Sequence, residues 1–281
     1  MNNTEKRWHR QWKLDMTAEE VQEIVDKTDL SDFNYNTTMR GPYTPEDSDA
    51  LVGCRISFKG EGHILEWSFL EKNKLQLIED GLAYDPAYCQ VLTMDGIIFL
   101  VHHLIPEAVP LRCVDFIVDM STGNATAVLA RIGTKWSARD VDREFLFGRI
   151  DGNFPAEGPL HSFTSEMVGK AIVWTYREGS YAVRHIYSTN YYYTYTMQVP
   201  QGTWVASNPA DYVKINDHTY IFSFVEERQP GLQALFVMDL EKMRDIGATF
   251  GIVDTPEGGC LANSCVGAKG TEMPMWQVFD I

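Results

Sequence analysis

The chain has 281 residues and a mass of 32.0 kDa, enough for one large core or for two domains of about 120 to 150 residues. At 44% hydrophobic and 22% charged residues it has a globular composition, which excludes disordered and collagenous classes. Twenty-four Lys and Arg against 39 Asp and Glu leave a net charge of −15, and a field of that sign repels phosphate backbones and anionic lipid, so nucleic acid is not an expected partner.

The opening segment MNNTEKRWHRQWKLDM lacks the apolar stretch of a signal peptide, and no apolar run reaches the roughly 18 residues of a membrane span. The expected setting is therefore soluble and cytoplasmic, with no membrane partner. The first element is a helix signal over residues 16–25, where Thr17 can cap and Glu20 can complete a capping box. A loop rich in Asp, Asn, Pro and Thr follows. From Leu51 the texture changes to short β-branched and aromatic runs broken every 8 to 12 residues by Gly, Asn or Asp, the pattern of an all-β fold. Such runs occupy residues 55–58, 64–69, 97–102 and 114–119, then 171–176, 182–187, 191–197, 219–226 and 233–240. Five cysteines, Cys54, Cys89, Cys113, Cys260 and Cys265, are odd in number and show no zinc-ligand spacing, so neither a disulfide framework nor a metal site is indicated. Cys260 and Cys265 read as free thiols of a Gly-rich surface loop.

An internal repeat favours two domains. Leu51-Val52-Gly53 before a strand resembles Met167-Val168-Gly169 before a strand. The segment 114–120 resembles 234–240 with Asp119 matching Asp239, and Met94-Asp95-Gly96 and Asn216-Asp217-His218 each introduce a hydrophobic strand. Two copies of one antiparallel meander, each closed into a small barrel that removes its sheet edges, explain all three matches. The expected division is an extension over 1–50, a first barrel over 51–149, a Gly/Pro-rich linker over 150–163 and a second barrel over 164–275.

Strand alternation selects the side chains that share a face. Trp174 and Tyr176 lie on one face of their strand; Tyr220, Phe222, Phe224 and Glu226 lie on one face of theirs. A carboxyl group among rings loses hydration, which suits Glu226 to proton transfer. Between these strands, residues 181–195 crowd tyrosines, Tyr187, Tyr193 and Tyr195 among them, around His185. Phenols and imidazole suit a flat unsaturated ligand, because each carries an apolar body with one polar tip. The first copy has Phe58 and Gly60 where the second has Trp174 and Tyr176. Its His102 and His103 point to opposite faces, one expected buried and one solvated. The working site is therefore expected in the second copy, with the first as support, lid or dimer surface.

Gly169, Tyr176, the run Arg184-His185-Ile186-Tyr187, the segment 192–195, Asp211-Tyr212-Val213-Lys214 and Met238-Asp239 resemble the C-terminal domain of the MoaF-like family of tandem lipocalin-like (calycin) proteins, and the first half resembles its N-terminal domain more weakly. The resemblance covers about residues 50 to 270 and implies two tandem antiparallel β-barrels. Val168-Gly169-Lys170, Thr175-Tyr176, Gly202-Thr203-Trp204-Val205, Val213-Lys214-Ile215 and Val225-Glu226 are also similar to phenolic acid decarboxylases, cofactor-free lipocalin-like barrels. That family's site, two tyrosines, an arginine and a glutamate, falls by position on Trp174, Tyr176, Thr203 and Glu226. Only Tyr176 and Glu226 match, so the clamp for a substrate carboxylate is missing.

Two functions follow as expectations. One is a cofactor-independent lyase, isomerase or cyclase on a small aromatic or unsaturated substrate in specialised metabolism. Glu226, Tyr176 and His185 would be its catalytic groups; Trp174, Tyr187, Tyr193, Tyr195, Thr203, Phe222 and Phe224 would line the site. The other is a carrier or sensor of a small hydrophobic molecule. A homodimer through the first copy is a weaker third option.

Overall fold

The computed structural model describes residues 16–31, 40–137, 140–154, 158–199, 202–226, 231–255 and 258–273. Helix α1 (Ala18–Asp26) begins with the expected capping box: Thr17 Oγ1 accepts from the Glu20 N–H at 3.2 Å, and Glu20 Oε2 accepts from the Thr17 N–H at 2.8 Å. Nine strands follow in the first half: β1 (Arg55–Gly60), β2 (His63–Glu71), β3 (Lys74–Glu79), β4 (Leu82–Ala83), β5 (Ala87–Thr93), β6 (Ile98–Ile105), β7 (Arg112–Asp119), β8 (Asn124–Ile132) and β9 (Val141–Ile150). The second half forms β10 (Ser162–Phe163), β11 (Ala171–Arg177), β12 (Tyr181–Ile186), β13 (Tyr192–Val199), β14 (Gly202–Lys214), β15 (Thr219–Val225), β16 (Leu232–Asp239), β17 (Arg244–Thr255) and β18 (Gly258–Glu272).

Each half is an up-and-down antiparallel barrel. In the first, β1 pairs with both β2 and β9, which closes the ring; in the second, β11 pairs with both β12 and β18. Eight strands make each ring, and a two-residue strand hangs on its edge, β4 on β3 and β10 on β14. Closure satisfies the strand ladders without an open edge. The two barrels repeat one plan down to their turns. Asp95 Oδ1 accepts from the N–H groups of Ile97 and Ile98 before β6, as Asn216 Oδ1 does from His218 and Thr219 before β15. Asp119 ends β7 opposite Ile98, and Asp239 ends β16 opposite Thr219; each carboxylate then accepts N–H bonds from the following turn.

The sequence concealed β17 and β18. Their Gly and Ala content reads as a flexible tail, yet they pair along their whole length. The glycines allow close approach: a Cβ at Gly247 would sit 2.3 Å from the Phe236 ring and 2.6 Å from the Leu235 carbonyl oxygen. Cys265, expected in a surface loop, is consequently buried on β18, while Cys260 is partly covered; neither is in a disulfide.

The barrels join through their outer faces. Leu92, Ile98, Leu100, Ile117 and Val128 of the first pack on Val213, Ile221, Leu235, Val237, Ile246 and Cys265 of the second. Helix α1 seals one end of the seam, where Val21 and Val25 meet Leu104, Leu111 and Ala130 from one barrel and Phe250, Ile252 and Leu261 from the other. Each buried valine contributes about 1.5 to 3 kcal/mol. The seam also holds polar locks. Arg143 Nη2 donates to Asp211 Oδ2 at 2.8 Å, and His102 joins Asp115 Oδ1 (2.6 Å) through Nδ1 and Asn263 Oδ1 (2.9 Å) through Nε2. Gln233 Nε2 donates to Asp115 Oδ2 at 3.2 Å, and Cys113 completes a group in which His102, Cys113 and Asp115 offer ligand-type atoms within 4.8 Å of one another. No sequence spacing reveals this group, because adjacent strands rather than a local motif assemble it.

His102 and His103 are both buried, which corrects the expectation that one is solvated. The even-numbered face of β6 looks outward, but the second barrel covers it. His103 points into the first barrel, where its Nε2 accepts the Trp67 indole N–H at 3.0 Å and its Nδ1 lies 3.1 Å from the Leu104 carbonyl oxygen. Burial lowers its pKa to about 4, so it is a neutral, fully paired core residue beside the stacked Trp67 and Phe116 rings, 4.1 Å apart.

No helix among the described residues is long and apolar enough to cross a membrane.

Candidate functional site

The second barrel is lined differently from the first. Its core gathers Trp174 and Tyr176 from β11, Tyr187 just after β12, Tyr193 and Tyr195 from β13, Tyr212 from β14, Tyr220, Phe222 and Phe224 from β15, and Phe236 from β16. Strand alternation puts them all inside, as the period of 2 requires. The rings interlock: Tyr193 lies 4.7 Å from Phe222 and 4.8 Å from Phe224 between centroids, Tyr212 stacks on Phe222 at 5.7 Å, and Phe236 spans 6.2 Å to Phe224 and 6.4 Å to Tyr176.

Polar groups sit in this aromatic wall at three places. At the end of β15, Glu226 is buried; its Oε2 accepts from Asn208 Nδ2 at 3.2 Å, and its Oε1 accepts from the Tyr195 hydroxyl at 3.4 Å. Asn208 Nδ2 also reaches the Tyr193 hydroxyl at 3.2 Å. Burial, then the Glu226 charge, pushes the Tyr193 phenol well above its ordinary value, so it stays protonated. In a second place, Trp174 Nε1 donates to the Tyr187 hydroxyl at 3.0 Å, and that hydroxyl donates to Met238 Sδ at 3.3 Å. This pair is satisfied internally and anchors the wall.

The third place holds groups without such partners. The Tyr176 hydroxyl is buried and makes no hydrogen bond of good geometry. It faces Asp245 on β17, whose neighbours Ile246 and Ala248 point into the seam, so that Asp245 points into the barrel. Asp245 Oδ1 accepts the Ala268 N–H at 2.7 Å, but burial outweighs this bond and a loose hydrogen bond from the Tyr176 hydroxyl and pushes the carboxyl up to about 8. His185 is the other orphan. Its Nδ1 has no hydrogen-bond partner, its ring stands 5.0 Å from Tyr193 and 5.4 Å from Phe222, and burial lowers its pKa to about 3. It is therefore a neutral imidazole at any physiological pH. A buried polar atom left unpaired costs about 1 to 3 kcal/mol, so orphans gathered inside one barrel need an explanation that the fully paired His103 of the other barrel does not.

The structure thus brings Glu226, Tyr176, His185, Trp174, Tyr187, Tyr193, Tyr195, Phe222 and Phe224 to one interior. Thr203 is the exception. It is exposed, on the face of β14 opposite Trp204, and does not line the barrel, which corrects its reading as a substrate contact. Sequence reasoning missed Asn208 and Asp245. Asn208 precedes Pro209, a pair that reads as a turn, yet β14 runs straight through it. Asp245 lies in the glycine-rich region where no strand was expected; the alternation Asp245, Gly247, Thr249 against Ile246, Ala248, Phe250 was the available signal.

Residues 161–274, spanning β10 to β18, match the family model of the MoaF C-terminal domain. No curated protein matches the chain. The match supports a MoaF-like family and covers the barrel that carries the aromatic interior.

Proposed function

Taking a MoaF-like C-terminal barrel as premise, we propose that the protein is a cofactor-independent acid/base enzyme, a lyase, isomerase or cyclase, acting on a small aromatic or unsaturated hydrophobic molecule inside the second barrel. The observation that carries the reading is Glu226: a buried carboxyl group at the edge of an aromatic interior, held by Asn208 and Tyr195 so that it is oriented as well as desolvated. The surrounding rings offer stacking surface, and His185 and Tyr176 offer unpaired polar atoms to a ligand. Glu226 would move the proton, the aromatic wall would hold the substrate flat, and exclusion of water would strengthen each polar contact. Five cysteines outside any disulfide support a reducing compartment such as the cytoplasm, and a hydrophobic substrate of this kind fits specialised metabolism.

Incubation of wild type and Glu226→Gln with a panel of aromatic acids, enones and host metabolite extract tests the reading. Conversion by wild type and not by the variant is expected; equal conversion by both overturns it. A carrier or sensor is the second reading, favoured by one observation: both Glu226 oxygens already accept hydrogen bonds, as in a site that only orients a ligand. Ligand bound equally by both proteins and recovered unchanged would establish it.

A further inference from the structure

The acid/base reading leaves open what the orphaned groups on the far side of the interior bind. Tyr176 is completely buried, and its hydroxyl makes no hydrogen bond of good geometry. Beside it, Asp245 is buried with the Ala268 N–H on Oδ1 and the Tyr176 hydroxyl in loose hydrogen-bond contact, so a ligand oxygen entering between the two groups would replace that contact. The two side chains come from strands on either side of β18, β11 and β17, and both point inward at one end of the ring ladder from Tyr176 through Phe236 to Phe224. Glu226 follows Phe224 at the other end. Among the described residues, none of the side chains that line this interior is a lysine or arginine, so it offers no cation to an anionic ligand.

We propose that Tyr176 and Asp245 form a two-donor cradle for a carbonyl oxygen, so that the second barrel takes an uncharged, largely apolar ketone, enone or lactone rather than a carboxylic acid. The proposal rests on the acid/base reading of Glu226 and specifies its substrate. A phenol and an un-ionised carboxylic acid each donate one O–H, and two such donors in a dry pocket are suited to an oxygen on which negative charge develops. The burial that keeps Asp245 protonated near neutrality makes it a donor. A substrate carboxylate would instead place an anion among buried groups with nothing to pair it, at a cost of several kcal/mol.

The chemistry this permits is balanced without a co-reactant. Glu226 as carboxylate takes a proton from a carbon conjugated with the carbonyl. The C–H bond breaks and its electron pair passes to the carbonyl oxygen, giving an enolate held by the O–H groups of Tyr176 and Asp245. Return of the proton from Glu226 to a different carbon re-forms the carbonyl and leaves the double bond moved.

The test uses 2-naphthol, whose oxygen mimics an enolate and whose fluorescence reports its ionisation, against naphthalene, which has the same rings and no oxygen. With the full-length protein, 2-naphthol is expected to bind at least about tenfold more tightly, the ratio that one good buried hydrogen bond gives. Tyr176→Phe and Asp245→Leu should each remove most of that preference. Asp245→Asn, which keeps the shape and an N–H donor, should retain it to within about threefold. Circular dichroism and naphthalene affinity identify any variant that fails to fold. Equal affinity of wild type for the two probes, or a preference unchanged in both Tyr176→Phe and Asp245→Leu, overturns the cradle. Glu226→Gln separates this proposal from the one beneath it: retained turnover in that variant sinks the acid/base reading while its naphthol preference still reports on the cradle. Absence of binding of either probe by wild type overturns the cradle, while turnover by wild type and not by Glu226→Gln still reports on the acid/base reading.

Discussion

Replacing His185 with leucine makes a quantitative test of how dry the second barrel is. The imidazole is completely buried among Tyr187, Tyr193 and Phe222, its Nδ1 is unpaired, and desolvation lowers its pKa from 6.5 to about 3. In the unfolded chain it takes up a proton below about pH 6.5; in the folded protein it does not until about pH 3. Between those values the unfolded state binds the extra proton, so this residue contributes a loss of stability as pH falls and contributes no pH dependence above the window. Each pH unit is worth about 1.4 kcal/mol, so the path from pH 6.5 to 4.5 costs wild type roughly 3 kcal/mol that His185→Leu does not lose. Urea unfolding at pH 7.5, 6.5, 5.5 and 4.5, followed by tryptophan fluorescence, gives the two stability curves, and their difference cancels the titration of groups common to both. The difference should be flat above pH 6.5 and should change by roughly 3 kcal/mol below it. Parallel curves throughout would show that His185 is solvated or partnered, and would refute the account of an orphaned imidazole.

Asp245 predicts the opposite sign. Its folded pKa of about 8 lies above the unfolded value, so between about pH 4 and 8 the folded state holds a proton that the unfolded state releases, and stability contributed by this residue falls as pH rises. Asp245→Asn should remove that slope in the same urea series; an unchanged slope would place an ionised carboxylate in the barrel. Gly247→Ala forces a methyl group to within 2.3 Å of the Phe236 ring and 2.6 Å of a backbone carbonyl, and a loss of roughly 2 to 3 kcal/mol in the denaturant midpoint analysis is expected. A variant within 0.5 kcal/mol of wild type would contradict the close approach of β16 and β17. Thr203→Arg, which introduces the arginine expected of a phenolic acid decarboxylase site, should change stability by less than about 0.5 kcal/mol and confer no decarboxylation of hydroxycinnamic acids, because position 203 faces away from the interior. Release of carbon dioxide by that variant, followed by gas evolution or mass loss, would show the side chain turning inward.

The barrel architecture was legible because alternation and turn chemistry act locally. Asp119 and Asp239 end equivalent strands, and Asp95 and Asn216 cap equivalent turns, so the repeat appears as matched polar residues at matched strand ends. The aromatic lining was legible for the same reason: Trp174, Tyr176, Phe222 and Phe224 alternate strictly. What could not be read was anything decided between barrels or by small residues. His102 looks like a solvent-facing strand residue until a second sheet covers it, and its partner Asn263 lies 161 positions away. Asp245 stands two residues before Gly247, in a strand whose glycines weaken β-propensity while permitting the close approach of β16 and β17. Thr203 shows the limit of carrying a residue over by position: one step along a strand turns the side chain to the other face, away from the interior.

Mass spectrometry of reaction mixtures tests the central claim most directly, with wild type and Glu226→Gln each incubated in deuterium oxide with a panel of uncharged enones and aromatic acids. The account predicts that wild type alone moves a double bond or incorporates deuterium at a carbon conjugated with a carbonyl, and that the variant binds the same compound unchanged. Deuterium incorporation at equal rates with both proteins would contradict it.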